Sequence, residues 1–546
     1  MDDITSTVPS GAGGPDPSKA GGLAARLLNL VETLGNKLPD PVTLFVIGAL
    51  LVPVVSHVVW ASGWEVAKVA PVQVDGESVL RETGETVRAL PMLTGDAIYG
   101  MVKGMKDNFI NFPPLGVVLV GMLGIGVAER SGLIGAALKA CMLVTPKALL
   151  TPAMVFVGVM SSAGLDAGYV VLPPVAALLY KSVGRSPLAG IAAVFAGVAA
   201  GFCANLAVTG LDPLLSELST AGAALVDTDY NVAATCNWGF AAASTVFLTF
   251  IGWAVTAWFV EPRLNARAAE HGGPSAPTDA DAEGQRLTLL EKRGLVFALG
   301  TLTVFGLAVG LMVLVKDALL YGSDADSHDF ARWVVVIVPL IFFGFLLPAL
   351  AYGIGAGTIK NDKDVATMMT KAMAAMGPII VLAFFAGQFI AWFAQSNLGT
   401  MFAITGGRAI AESGLPTWAV LAAFIFMVAL LNLFMGSMSA KYTLLAPVFI
   451  PMFMIGANIS PELTQAAYRV GDSCTNIITP LNAYLIIILV FVQKYDKKAG
   501  MGTMIALMLP YSVVFIVTWT ALLLAWVAFG IPLGPEGPLE YVAPSG

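Results

Sequence analysis

Two stretches set the architecture of this chain, Ala167-Gly168-Tyr169-Val170-Val171-Leu172-Pro173-Pro174 and Ala440-Lys441-Tyr442-Thr443-Leu444-Leu445-Ala446-Pro447. Both read A-x-Y-x-x-L-x-P. Each is followed by a Ser-Pro pair, Ser186-Pro187 and Ser460-Pro461, and then by Cys203-Ala204-Asn205-Leu206 or Cys474-Thr475-Asn476-Ile477. Around each stretch lies a long apolar run broken by Gly, Ser and Ala, at about 148 to 180 and 418 to 456. Each run reads as a helical hairpin better than as one helix. Breaking a helix inside a membrane frees backbone groups that lipid cannot satisfy, so such breaks belong where protein, ion or substrate can satisfy them.

The rest of the composition agrees. Of 546 residues 57% are hydrophobic and 12% charged, with a mean hydropathy of +0.81; soluble chains carry about 25% charged residues. A cytosolic enzyme is excluded, and the 57 Gly and 32 Pro suit interrupted helices. The formal charge of -7 is spread through loops, so no nucleic-acid-binding patch is present. Cys141, Cys203, Cys236 and Cys474 lie in or beside apolar stretches without metal-ligand spacing and read as buried small hydrophobes. No P-loop, H-E-x-x-H or G-x-S-x-G signature occurs, which leaves an ion gradient as the energy source and gives no support to an enzyme.

Spanning helices are expected at about 42–59, 115–127, 187–211, 236–260, 293–315, 333–355, 372–396, 462–493 and 503–531. The basic loops around Lys181 and Arg185, Arg263 to Arg293, Lys360 to Lys371 and Lys494 to Lys498 are assigned to the cytoplasm, and the acidic stretches 212–231 and 317–331 to the outside. The expectation is an all-α polytopic membrane protein of about nine transmembrane helices and two oppositely oriented re-entrant hairpins, built as inverted repeats. The N-terminus lies inside and the C-terminus in the periplasm. Residues 1–40 form a cytoplasmic tail with no secretory signal, and 41–546 a single transporter domain. Its first hairpin and broken helix occupy about 148–211, the second pair about 418–493.

Ionisable residues at membrane depth are expensive and mark function. Asp472 lies within an apolar segment with Arg469 one turn before it and Asn476 one turn after; Pro480, a further turn on, would free carbonyls. Arg469 and Asp472 could also simply neutralise each other at i, i+3. In the first unit Asn205 matches Asn476, and Asp212-Pro213 follows where that helix should unwind. Asp212 reads equally as a solvated turn residue. Asp166, at the first hairpin tip, is read as facing the ligand, with capping of a half-helix as the alternative. The second hairpin offers Asn432, Ser437, Lys441 and Tyr442. Lys441 could neutralise a substrate carboxylate or snorkel to the interface. A sodium ion beside Asn205, Asp472 and Asn476 is one reading of the coupling, protons on the two acids the other. No further cofactor is expected.

Three runs carry a family likeness: Leu34-Gly35-Asn36-Lys37-Leu38-Pro39-Asp40-Pro41-Val42-Thr43-Leu44-Phe45, Ala466-Ala467-Tyr468-Arg469-Val470-Gly471-Asp472-Ser473 leading into Thr475-Asn476-Ile477-Ile478-Thr479-Pro480, and Met508-Leu509-Pro510-Tyr511-Ser512. Together they resemble the AbgT family of p-aminobenzoyl-glutamate transporters. The resemblance implies a homodimer in the bacterial inner membrane, nine spanning helices and two opposed hairpins per protomer, with p-aminobenzoyl-glutamate as substrate and sulfonamide antimetabolites exported by some members. It also implies functional roles for the positions Asp212, Pro461, Arg469, Asp472 and Pro480. Where the family often has Trp, this chain has Tyr442, which weakens aromatic stacking on a substrate ring. The competing readings are a dicarboxylate or citrate symporter, a channel with re-entrant loops, and a membrane-embedded amidase.

Overall fold

The computed structural model describes residues 41–74, 77–143, 145–146, 149–164, 167–275, 287–324, 330–479 and 482–542. The expected tail 1–40, Asp166 and Pro480 lie outside the described residues.

The chain enters on α1 (Pro41–Ser62), whose apolar sequence contains Pro53. It then forms an antiparallel ribbon of β1 (Glu65–Val74) and β2 (Glu77–Arg88), which pairs Glu65 with Arg88 and Val74 with Glu77 and shifts register between Ala67 and Val69. The 62–111 segment, a polar loop by sequence, holds α2 (Gly95–Ile110) and this ribbon, a small addition of strand to a mostly helical fold. Next come α3 (Pro113–Ser131) and α4 (Leu133–Leu143), bent by 66° at Gly132, whose φ of 93° suits glycine.

The first repeat unit is α5 (Leu150–Met160), a short 3₁₀ turn at Ser161–Gly164, α6 (Ala167–Ser182) and α7 (Pro187–Phe195), which runs into a π turn at Ala196–Ala200. After a non-helical break the chain resumes as α8 (Leu211–Ala223) and α9 (Trp238–Val255), the latter continuing through a π turn to Asn265. Then follow α10 (Leu289–Leu314), α11 (Ile337–Ala356), α12 (Asp362–Ala375), α13 (Gly377–Gln395) and α14 (Leu398–Ser413). The second unit is α15 (Thr417–Asn432), a break, α16 (Met438–Ala457) and α17 (Pro461–Cys474), a second break, and α18 (Ala483–Gln493). Helix α19 (Met501–Ala528) closes the chain.

Among the described residues seven helices are long and apolar enough to cross a membrane, or eight if the bent α3–α4 pair is one span. The difference from the expected nine has a physical origin. The segments expected at 187–211 and 462–493 are each split into short helices, so neither qualifies by length, whereas α16 qualifies although it was expected as a hairpin arm. Helix α14 was not expected at all.

The repeat is visible in how the helices start. Ser186 accepts a hydrogen bond from Ala189 N and Ser460 from Leu463 N, with Pro187 and Pro461 at the first helical positions. Serine satisfies an orphan amide there, and proline lacks the amide that would otherwise be orphaned. Pro461 therefore starts α17, and Pro213 sits in the first turn of α8. Both were expected as breaks at the site; the breaks themselves lie elsewhere, at 201–210 and after Cys474.

In each unit the two arms pack against the helix that follows them more than against each other. Glycine permits the close approach: a Cβ on Gly158 of α5 would lie 2.5 Å from Val194 O, and one on Gly197 would lie 2.3 Å from Val155 O. The second unit repeats the device, since a Cβ on Gly471 of α17 would lie 2.5 Å from Ile425 O on α15. Backbone cannot yield as a flexible side chain can. Gly197→Val is expected to destabilise the protein by at least about 1–3 kcal/mol by overpacking, read as a lower melting temperature in detergent; an unchanged melting temperature would contradict this packing.

Candidate functional site

The two breaks lie side by side in the buried centre. Asn476 Nδ2 donates across them to Ala199 O at 3.3 Å, and Cys203 Sγ lies 3.8 Å from Met438 Sδ. Tyr169 of the first unit stacks on Tyr484 of the second, ring centres 4.2 Å apart. Freed carbonyls find amide donors there: Asn432 Nδ2 donates to Asp472 O at 2.6 Å, and Asn482 Nδ2 to Asn476 O at 2.9 Å. Buried backbone groups need such partners, and asparagine supplies two N–H donors.

Two ion pairs cross between elements. Arg469 on α17 reaches the other half of the chain, with Nη2 2.6 Å from Asp212 Oδ1 on α8. The Nε of the same guanidinium has no hydrogen-bond partner. Asp212 Oδ2 accepts from Thr209 N at 2.6 Å and Thr209 Oγ1 at 2.8 Å, so the carboxylate also shapes the end of the break. Its place in the first turn of α8 suits a negative charge. The second pair joins Lys441 Nζ to Asp472 Oδ1 at 2.7 Å, with side chains 2% and 1% exposed. Tyr468 OH lies 3.2 Å from Asp472 Oδ1 and donates to Met438 O at 2.6 Å, while Asp472 Oδ2 is buried without a partner.

Arg469 and Asp472 therefore do not neutralise each other; each serves a different break. Asp212 is buried and ion-paired, and its reading as a solvated turn residue is corrected. Lys441 is buried and does not snorkel.

Asn205 Nδ2 donates to Ser162 Oγ at 3.0 Å, and its Oδ1 accepts from Ala207 N at 3.0 Å. Asn476 Oδ1 accepts from Asn432 Nδ2 at 2.8 Å. Ser437 caps α16, accepting from Ala440 N. Tyr442 is buried, its hydroxyl 2.6 Å from Ser219 Oγ and its ring 4.4 Å from that of Tyr468, so it faces packed protein in this state. A small cavity of about 10 Å³ lies at the first break, lined by Asn205, Thr209, Asp212, Trp238 and Arg469 among others. It has room for about one water, so the structure is closed around the Arg469–Asp212 pair.

Sequence reasoning missed Ser219, Tyr468, Gln465 and Glu462. Gln465 Oε1 accepts from Ser219 Oγ at 3.1 Å, linking α17 to α8. Glu462 is buried and accepts from Tyr230 OH at 2.9 Å. Burial, then the neighbouring Glu462 carboxylate, pushes the hydroxyl of the loop residue Tyr230 well above its usual range. A polar stripe every three or four residues along α17 (Glu462, Gln465, Arg469, Asp472) was the available signal.

Charged groups held at paired helix breaks inside a membrane-embedded helical protein are the architecture of a transporter. The chain belongs to the AbgT putative transporter family, which it matches over residues 26–541. It is 33% identical over 523 residues to the p-aminobenzoyl-glutamate transport protein of Escherichia coli (strain K12), covering 95% of this chain and 97% of the relative. Among solved structures it resembles the YdaH transporter of Alcanivorax borkumensis, with a TM-score of 0.82 and 40% identity over 91% of this chain and 100% of that one. It also resembles MtrF of Neisseria gonorrhoeae, described as illuminating a class of antimetabolite efflux pumps, with a TM-score of 0.85 and 37% identity over 94% and 100%.

Proposed function

We propose that this chain is a secondary active transporter that moves p-aminobenzoyl-glutamate, and with it sulfonamide antimetabolites, across the bacterial inner membrane at the expense of a cation gradient. It works as a homodimer, with its N-terminus in the cytoplasm and its C-terminus in the periplasm. The observation that carries the reading is Arg469, a buried guanidinium at the first break, paired with Asp212 and with an unpartnered Nε–H, beside a small cavity. A carboxylate is the ligand such a group takes best, and the glutamate half of the substrate supplies two. Asp212 holds the guanidinium while the site is empty of substrate, and a substrate carboxylate competes for it. Motion of the hairpin arms relative to the rest of the protomer then exposes the pair to alternate sides.

The test is uptake of labelled p-aminobenzoyl-glutamate into proteoliposomes under an imposed cation gradient with the membrane potential clamped. Accumulation above equilibrium is expected. Equilibration without accumulation would indicate a channel, appearance of p-aminobenzoate an amidase, and competition by citrate or dicarboxylates alone the symporter reading; each would overturn the proposal.

A further inference from the structure

Two buried side-chain amides beside the Arg469–Asp212 pair carry polar atoms with no hydrogen-bond partner among the described residues. Gln465 lies one turn before Arg469 on α17 and is 0% exposed. Its Oε1 accepts from Ser219 Oγ at 3.1 Å and from the Cys236 thiol at 3.6 Å, while its Nε2 has no partner. Asn237 follows Cys236 and starts α9, the helix that brings Trp238 and Ala241 to the small cavity beside Arg469. An asparagine at a helix start ordinarily caps it by accepting from a backbone amide. This one makes no cap bond, is 1% exposed, and leaves both Nδ2 and Oδ1 without a partner. Arg469 adds its Nε. A buried donor or acceptor without a partner costs stability, because its desolvation is not repaid by a bond. Three side chains left so at one place describe the polar outline of a ligand: one donor each from Arg469 and Gln465, and a donor and an acceptor from Asn237.

We infer that Gln465 and Asn237 determine specificity by reading the acyl-amide of the substrate, so that the site selects N-acylated amino acids over compounds that offer carboxylates alone. This rests on, and deepens, the function proposed above. In an N-acyl amino acid only the α-carbon and the amide nitrogen separate the α-carboxylate from the acyl carbonyl. Gln465 and Arg469 stand at i and i+4 on α17, a spacing that sets Cβ atoms about 6 Å apart on one helix face. A carboxylate held by the guanidinium therefore brings the acyl carbonyl within reach of Gln465 Nε2. The amide N–H falls to Asn237 Oδ1, the one acceptor among the unpartnered atoms of these three side chains. Ser219 and Cys236 occupy Gln465 Oε1 from α8 and from the chain before α9, which leaves the donor end of that amide for the ligand. Discrimination of this kind is strong, because a ligand without the amide leaves the buried groups unpaired.

The experiment measures, by calorimetric titration of the purified full-length protein in detergent, the dissociation constants of two probes: p-aminobenzoyl-glutamate, and its analogue in which a saturated two-carbon link replaces the amide. Wild type is expected to bind the amide at least about tenfold more tightly. Gln465→Met, close to glutamine in size and without its donor, is expected to lose about fivefold of that preference, and Asn237→Leu a similar factor, while affinity for the analogue stays nearly the same. A purely structural role would weaken both probes alike, so variants with lower melting temperatures and an unchanged ratio of the two constants would overturn the inference. Should neither variant fold, the wild-type ratio still decides, since equal affinity for the two probes would overturn it as well. Failure of wild type to bind either probe would instead overturn the function proposed above, whereas binding of both without discrimination counts against this inference alone.

Discussion

Asp472→Asn is expected to abolish gradient-driven accumulation and to destabilise the folded protein by about 3 kcal/mol. The loss of stability follows from Lys441, which is fully buried and has Asp472 as its only ion-pair partner among the described residues. Removing one member of a buried pair leaves an uncompensated charge, a loss of about 3–5 kcal/mol; the figure falls at the low end here because Asn still offers an oxygen to Nζ. The double variant Lys441→Met/Asp472→Asn removes both charges and is expected to recover most of the stability while staying inactive. That divergence separates a structural pair from a functional one. Melting temperatures in detergent and accumulation in proteoliposomes provide the two readouts. A single variant that melts like wild type and still accumulates substrate would refute the role given to Asp472.

Much of this centre was legible because it obeys local rules. Ser186-Pro187 and Ser460-Pro461 are helix starts whatever surrounds them, and the matched Asn205 and Asn476 mark the ends of the helices that follow. The pairing of charges was not legible. Arg469 and Asp472 invite each other by spacing, but α17 is buried on all sides, so residues one turn apart face different neighbours. Asp212 and Lys441 come from other helices, and sequence spacing carries no information about which cation meets which acid. The β-ribbon had a signal in sequence that hydropathy conceals: an Asp-Gly pair at 75–76, the composition a hairpin turn favours, flanked by Val72, Val74 and Val79. Helix α14 was hidden because Gly406, Gly407, Arg408 and Glu412 dilute its apolar character.

Asp212→Asn is expected to release the first break as well as its ion pair. The carboxylate makes three contacts at once: the amide and hydroxyl of Thr209 on one oxygen and Arg469 on the other. Its loss leaves Arg469 buried without a counter-charge, at about 3–5 kcal/mol, and weakens the hydrogen bonds that fix the chain before α8. Thr209→Val keeps the amide bond and removes the hydroxyl's bond to Asp212 together with the long bond it accepts from Leu211 N, expected to cost about 1 kcal/mol. Hydrogen exchange of the 201–210 amides should therefore accelerate strongly in Asp212→Asn and slightly in Thr209→Val, while the 187–195 amides of α7, held within a helix, stay protected. Transport should fall in the same order, because a loosened break no longer aims the guanidinium at a substrate carboxylate. Exchange at 201–210 that matched wild type in Asp212→Asn would mean that Arg469 is positioned by its own helix alone. The link between the two repeats would then have to be sought in the Ser219–Gln465 contact, where α8 and α17 also meet.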